Sequence, residues 1–183
     1  MPTKVHKVFV SYHHANDQDY RDKFEKLISD SNISVIKSVQ IGDIDSNLPT
    51  DTIRRKIRDD YLSDSTVTVV LIGAETWKRK HVDWEISSSI RDTKNSSRSG
   101  LIGILLPTYP RSSKDRYNQY TIPPRLYENL KEECEFAKIY NWNEDPKIIQ
   151  KWIHEAFDRR NIIDPINTYP NFANNRTGTC WQY

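Results

Sequence analysis

The segment KRKHVDWEISSSI contains a carboxylate in a position where it could act alone. Val82, Ile86 and Ile90 recur at four-residue steps, so they form the buried stripe of a predicted helix. Glu85 lies beside that stripe, whereas Asp83 lies about 200° away around the helix. The two carboxylates therefore cannot act as a paired acid and base, and Glu85 is the candidate for single-carboxylate chemistry. The alternative is a glutamate at the edge of the core that reaches solvent or a lysine.

Other common catalytic devices are missing from the sequence. The glycines form neither GxGxxG nor a Walker loop, which excludes phosphate cradles of those kinds. The histidines have no HExxH or other ligand spacing, so no metal site is predicted. Only Cys134 and Cys180 are present, too few for a disulfide framework or a four-thiolate zinc site, and we expect ordinary thiols.

Composition narrows the class of protein further. The chain has 183 residues, enough for one domain. Its net charge of +2 is too small to indicate binding to nucleic acid. No apolar run approaches the roughly 18 residues that span a bilayer, so no membrane partner is expected. The first residues lack an apolar signal segment and run into a strand-like pattern, which makes the cytoplasm the expected location.

Strand-like and helix-like segments alternate along the chain. Continuous apolar runs predict central strands at 7–11, 66–72 and 101–106, and alternating patterns predict strands at 33–39 and 135–140. Helical spacing fills the intervals, and a final amphipathic helix follows Asp145 and Pro146. From Pro107 to Pro124 we expect a long surface loop, and the residues from 161 to 183 read as an irregular tail after a domain of residues 1–160.

This alternation predicts an α/β fold with a doubly wound, parallel, five-stranded sheet and helices on both faces. Ligands of such sheets usually bind beyond the carboxyl ends of the strands. That edge would collect Ser11 to His14, the Asp43 to Asn47 loop, and Gly73 to Lys80. The basic residues of the second helix are expected on its exposed face; they are Arg54, Arg55, Lys56 and Arg58.

Three segments together, KVFVSYHH, SDSTVTVVLIGAETWKRKHVDWEI and PPRLYENL, resemble the TIR-like branch that includes the nucleotide-signalling protein of bacterial Thoeris antiphage defence. The resemblance covers roughly residues 5 to 158. It implies a flavodoxin-like TIR fold in which one helical glutamate is essential for splitting NAD at the nicotinamide riboside bond. Glu85 is the matching position. Many TIR enzymes carry a tryptophan four residues before that glutamate, where this chain has His81.

A single carboxylate suits that reaction. Nicotinamide leaves a cationic pyridinium as a neutral molecule, so no general acid is needed to protonate it. A partly desolvated Glu85 could accept hydrogen bonds from ribose hydroxyls and stabilise the oxocarbenium-like transition state. Water attack gives ADP-ribose, whereas attack by a hydroxyl of the bound nucleotide gives a cyclic isomer, the product expected here. NAD+ is the substrate, and no cofactor or metal is required.

The resemblance also implies further substrate-binding residues. Phe9, Tyr12 and Trp77 could stack on nicotinamide or adenine, although packing in the core is the alternative for each. Ser11 and His13 could bind phosphate or ribose hydroxyls, or only form hydrogen bonds at the helix entry. The acidic loop with Asp43 and Asp45 borders the pocket in TIR proteins, with simple turn formation as its alternative. His81 completes the set.

Two hypotheses of different classes follow. The first is an NAD+-cleaving enzyme whose nucleotide product reaches a separate effector protein after a phage-derived trigger. The second is a noncatalytic TIR-like adaptor that binds other proteins through surface helices such as the one with Arg54 and Arg58.

Overall fold

The computed structural model describes residues 6–31, 33–36 and 47–181. Within them, five parallel strands form one sheet in the order β2-β1-β3-β4-β5. The strands are β1 (His6–Ser11), β2 (Ile33–Ile36), β3 (Val67–Ile72), β4 (Gly100–Leu105) and β5 (Ala137–Asn141). The predicted α/β fold with a parallel sheet is confirmed. The last residues of the predicted second strand, 37–39, lie outside the described residues.

The helices are α1 (His14–Ile28), α2 (Thr50–Ile57), α3 (Lys80–Ser89), α4 (Pro124–Leu130) and α5 (Pro146–Arg159). Asp145 caps α5, since its side chain accepts a hydrogen bond from the Lys147 backbone N–H. A π-helical turn, Arg58–Leu62, continues α2 and widens its spacing. No helix in these ranges is long and apolar enough to cross a membrane.

The core lies on both faces of the sheet. All residues of β3 and β4 are buried, and so are those of β1 except Lys7, as their apolar sequences predict. On one face, Phe24 of α1 and Ile153 of α5 pack against Val10 and its neighbours. On the other face, α2, α3 and α4 cover the strands, with Ile86 and Leu126 in the main cluster.

Two segments without regular structure pack more firmly than their sequences predict. In the loop expected at the surface, Tyr109 and Ile122 are buried against the cluster under α3 and α4. In the tail, Trp181 is buried, and its indole N–H donates to the Ile122 carbonyl at 2.6 Å. The tail residues 161–181 form neither helix nor strand, but they cover the helices that carry the site.

Candidate functional site

Helix α3 is buried along most of its length. Its apolar stripe packs on the sheet, and every residue from Val82 to Ser89 is buried. Two of the three serines at its end form hydrogen bonds within the helix: Ser88 Oγ donates to the Trp84 carbonyl at 2.7 Å, and Ser89 Oγ donates to the Ile86 carbonyl at 3.0 Å. A polar residue in this helix therefore has little access to solvent, and Glu85 is 1% exposed.

Glu85 meets the carboxyl end of β1. The hydroxyl of Ser11, the last residue of that strand, donates a hydrogen bond to Glu85 Oε2. The other oxygen, Oε1, is buried and has no hydrogen-bond partner among the described residues. Sequence reasoning expected Ser11 to His14 and Gly73 to Lys80 at this edge of the sheet, and the structure also places Glu85 of α3 there. One carboxylate oxygen is held in place and one is left free to accept a hydrogen bond.

Burial dominates the electrostatics of this carboxylate. Removal from water raises the pKa of Glu85 to about 8, and the hydrogen bond from Ser11 opposes that rise. At neutral pH the enclosed carboxyl group is therefore largely protonated. It becomes an anion only when the surroundings supply a positive charge or water.

The aromatic rings of His81, His14 and Tyr12 lie together at the carboxyl end of β1. His81 Nε2 lies 3.1 Å from the Tyr12 carbonyl, the geometry of an N–H donating to that oxygen. The His14 ring lies between the two, with centroids 4.9 Å from His81 and 4.5 Å from Tyr12. Burial lowers the pKa of His81 to about 4, so its ring is neutral at physiological pH. Sequence reasoning placed His14 at this edge of the sheet but did not count it among the substrate-binding residues.

His14, His81 and Glu85 could in principle donate to one cation. Their ligand atoms all lie within 4.8 Å of one another. Ligands of a single zinc ion lie about 3.3 Å apart, so the side chains would have to close up to bind one. The rings of His14 and His81 are interpreted below as one wall of a pocket.

The remaining predicted residues of β1 and its exit have defined structural partners. His13 caps α1, because its Nδ1 accepts the Asn16 backbone N–H at 3.1 Å. Phe9 is fully buried and packs with the apolar residues of α2. The Tyr12 hydroxyl donates to Gln18 at 2.6 Å, and its ring lies in the core cluster of α1 and α5. Any contacts of His13, Phe9 and Tyr12 with substrate would come in addition to these contacts within the protein.

Trp77 and Asp45 complete the predicted set. Trp77 is buried in a short 3-10 turn, Thr76–Lys78, between β3 and α3. Asp43 and Asp45 lie outside the described residues. The loop after β3 approaches α1 closely, since a Cβ at Gly73 would lie 2.4 Å from Asp17 Oδ2. This glycine lets the loop and α1 meet at the sheet edge.

The opposite side of α3 carries a second buried carboxylate. Asp83 accepts from Arg125 Nε at 2.9 Å and from the Phe172 backbone N–H at 3.0 Å. Asn167 and Asn171 accept from the remaining Arg125 N–H groups at 2.8 and 3.1 Å. The tail thus locks the helix that presents Glu85. Asp83 and Glu85 face different partners, as the spacing around the helix predicted.

One expectation about α2 is wrong. Arg58 was expected on an exposed helical face, but it is 3% exposed, and the side chain of Arg54 is also mostly covered. The two side chains lie one helical turn apart on the same side of α2, and the segment after α3 covers Arg58, whose guanidinium donates to Ser96 Oγ and to the Ser97 carbonyl.

Comparison with known families agrees with this geometry. No curated protein matches the chain at a significant level. The family model described as Thoeris protein ThsB, TIR-like domain, matches residues 9–111, more than half of the chain. The match runs from β1 through β4 and includes Ser11, His81 and Glu85. The chain therefore belongs to the Thoeris ThsB TIR-like family.

Proposed function

We propose that this protein cleaves NAD+ at the bond between nicotinamide and ribose and makes an ADP-ribose signalling nucleotide, in cyclic form. Membership of the Thoeris ThsB family implies a role in antiphage defence. The observation that carries the proposal is the state of Glu85: a buried carboxylate at a strand end, with one oxygen fixed by Ser11 and the other without a partner.

The chemistry assigns a role to each oxygen. The bond from C1′ of the ribose to the pyridinium nitrogen breaks with its electron pair going to nitrogen, so nicotinamide departs neutral. A hydroxyl of the bound ADP-ribose then forms the new bond to C1′ and loses its proton to the Glu85 carboxylate or to water, which gives the cyclic product. The free oxygen Oε1 accepts a hydrogen bond from a ribose hydroxyl and opposes the positive charge that develops on the sugar. Ser11 holds Oε2, which keeps the carboxylate in one orientation during the step.

Burial supports a resting state with low activity. Since Glu85 is 1% exposed, a substrate reaches Oε1 only after neighbouring side chains move. The cationic pyridinium of NAD+ would then favour the ionised carboxylate, offsetting the desolvation that raises the pKa of Glu85. A phage-derived trigger that opens the site fits this arrangement, and the released nucleotide would carry the signal through the cytoplasm to a separate effector protein.

The histidine at the usual tryptophan position would serve as a pocket wall. A neutral His81 ring, fixed by its hydrogen bond to the Tyr12 carbonyl, presents a flat face without a positive charge that would repel the pyridinium. His14 extends that face. Phe9, Tyr12, His13, Asp45 and Trp77 stay proposed substrate contacts. Phe9, Tyr12, His13 and Trp77 are buried, so substrate would reach them only after rearrangement.

The test is nicotinamide release from NAD+. Purified protein, and extracts of cells expressing it during phage challenge, are incubated with NAD+ and analysed by chromatography and mass spectrometry. Glu85→Gln is expected to lower release at least about hundredfold, the effect of removing a group that stabilises charge in a transition state. Glu75→Gln, at a half-exposed carboxylate of the loop after β3 that accepts hydrogen bonds from Lys78 and Asn16, should keep activity within about twofold because it contacts none of the groups proposed to react.

The adaptor hypothesis predicts the reverse pattern. Under it, Glu85→Gln would still protect cells against phage, and no nicotinamide would appear even in challenged cells. Protection that survives Glu85→Gln in the absence of NAD+ loss would overturn the enzymatic proposal.

A further inference from the structure

A basic cavity lies on the face of the sheet covered by α2 and α3, away from the residues that surround Glu85. Its volume is about 790 Å³, within the range of small-molecule pockets. Arg54 and Arg58 form one wall, Ser88 and Arg91 from the end of α3 form another, and Lys94 and Asn167 complete it. Ser11, His81 and Glu85 are not among the lining residues.

Arg58 is the unusual member of this lining. Its guanidinium is buried, and NH2 donates to Ser96 Oγ at 2.8 Å and to the Ser97 carbonyl. Nε and NH1 are also buried, but they have no hydrogen-bond acceptor in the described part of the chain. A buried charged donor without an acceptor is costly, so these two N–H groups favour an acceptor that enters the adjacent cavity and reaches them when the side chains of its wall shift.

Arg54 points to the same conclusion. It precedes Arg58 by four residues, and its Nε is likewise buried without an acceptor among the described residues. Its nearest carboxylate, Asp51, is 3.6 Å from NH1 and almost fully exposed, so water screens that pair. Burial above all, and then the positive charges of Arg125 and Arg91, lower the pKa of Arg54. An anion would relieve both the desolvation and the repulsion.

The charges identify the kind of anion. The lining includes five basic side chains against the two exposed carboxylates of Asp51 and Asp59. Guanidinium groups bind phosphate oxygens through paired N–H donors, and two of them placed one helical turn apart suit two linked phosphates better than one carboxylate. The cavity is also large enough for more than a single phosphate.

We propose that this cavity binds a small molecule carrying a diphosphate group, which accepts hydrogen bonds from Arg54 and Arg58 while Arg91 and Lys94 supply charge at its mouth. The site is separate from the proposed NAD+ cleavage site and does not depend on it. Its occupant would contact the end of α3, one turn beyond Glu85.

Titration calorimetry with inorganic pyrophosphate, and then with ADP, tests the site. One equivalent of each is expected to bind, because both carry the diphosphate group, and affinity should fall as salt is added. Arg54→Gln should weaken binding about tenfold or more, the effect of losing a charged hydrogen-bond donor. Because Arg54 is partly buried, circular dichroism checks that the Arg54→Gln variant is folded. The double variant Arg91→Gln/Lys94→Gln changes exposed positions and should show a similar loss of affinity.

Two control variants keep the test specific. Lys56→Gln removes a positive charge from an exposed position of the same helix outside the cavity, and it should change affinity less than about twofold. Glu85→Gln should leave pyrophosphate binding unchanged, even if NAD+ cleavage is lost or was never present. The proposal is overturned if neither probe binds, if only inorganic pyrophosphate binds, or if Lys56→Gln weakens binding as much as Arg54→Gln.

Discussion

Helix α3 holds two buried carboxylates, two residues apart, in opposite conditions. Asp83 is 2% exposed and receives a guanidinium and a backbone N–H, so its charge and its oxygens are compensated. Glu85 is equally buried but receives a single hydroxyl, and no cation pairs with it in the described residues. The same helix therefore carries one carboxylate, Asp83, that stabilises the fold and another, Glu85, that destabilises it. Destabilising groups of this kind are typical of functional sites.

The largest change in the free energy of unfolding should come from removing the charge of Asp83, the carboxylate that is paired with Arg125. Asp83→Asn leaves the Arg125 guanidinium buried without a counter-charge, and this should lower the free energy of unfolding by about 3–5 kcal/mol. Glu85→Gln should keep or raise that free energy, because it replaces a group whose ionisation is opposed by burial. Urea denaturation at pH 7 measures both. Equal losses in the two variants would contradict the distinction between the carboxylates.

The next effect is the pH dependence that Glu85 imposes. Its pKa is about 8 in the folded protein and 4.5 in the reference state, so between these values the folded state keeps a proton that the unfolded state has released. The free energy of unfolding should therefore fall as pH rises through this window and level off above about pH 8. The contribution is on the order of a few kcal/mol.

Glu85→Gln isolates that contribution. Burial also raises the pKa of Asp17, which gives the same sign of pH dependence, but Asp17 is present in both proteins. The difference in unfolding free energy between the variant and the parent should consequently grow from pH 5 to pH 9 in favour of the variant. A difference that stays constant over that range would show that Glu85 has an ordinary pKa.

The sequence predicted the elements well where one pattern dominates. The apolar runs of β3 and β4 placed those strands to within a residue, because no other structure hides such segments from water on both faces. The position of Glu85 beside the stripe of Val82 and Ile86 followed from helical periodicity. Its complete burial did not, since burial depends on how other elements cover the helix.

The misplaced and missed features depend on contacts that are distant in sequence. Asp83 and Arg125 are 42 residues apart, and no local pattern pairs them. Arg58 was expected to be exposed because charged residues usually are, but it is covered by Ser96 and Ser97, which are 38 and 39 residues away in sequence. The tail has no periodicity, and its buried aromatic residues Phe172 and Trp181 were the signal that it packs.

A smaller effect should come from the side chains that orient the ion pair. Asn171 accepts from Arg125 at 3.1 Å, so Asn171→Ala removes one acceptor of a buried guanidinium and should cost about 1–3 kcal/mol of unfolding free energy. Asn174→Ala, in the exposed part of the same tail, should change it by less than about 0.5 kcal/mol. Thermal or urea unfolding compares them. If Asn174→Ala costs as much, the tail stabilises α3 by general packing rather than through Arg125.

The smallest change in stability should come from removing the hydrogen bond that the Ser11 hydroxyl donates to Glu85. The Ser11 hydroxyl donates to the carboxylate and thereby lowers the pKa of Glu85, partly opposing desolvation. Ser11→Ala should raise that pKa by about one unit, equal to about 1.4 kcal/mol, so the pH at which stability levels off moves upward.

Ser99→Ala is the matched control for Ser11→Ala. Ser99 is equally buried, but its hydroxyl bonds to Ser65 at 3.1 Å rather than to a carboxylate, so its loss should lower stability by a similar amount at every pH. Only Ser11→Ala should move the pH profile, and in the same direction for NAD+ cleavage, which requires the ionised carboxylate. If both variants give the same profile, Ser11 does not control the proton on Glu85, and fixed orientation is the only role left for that hydrogen bond.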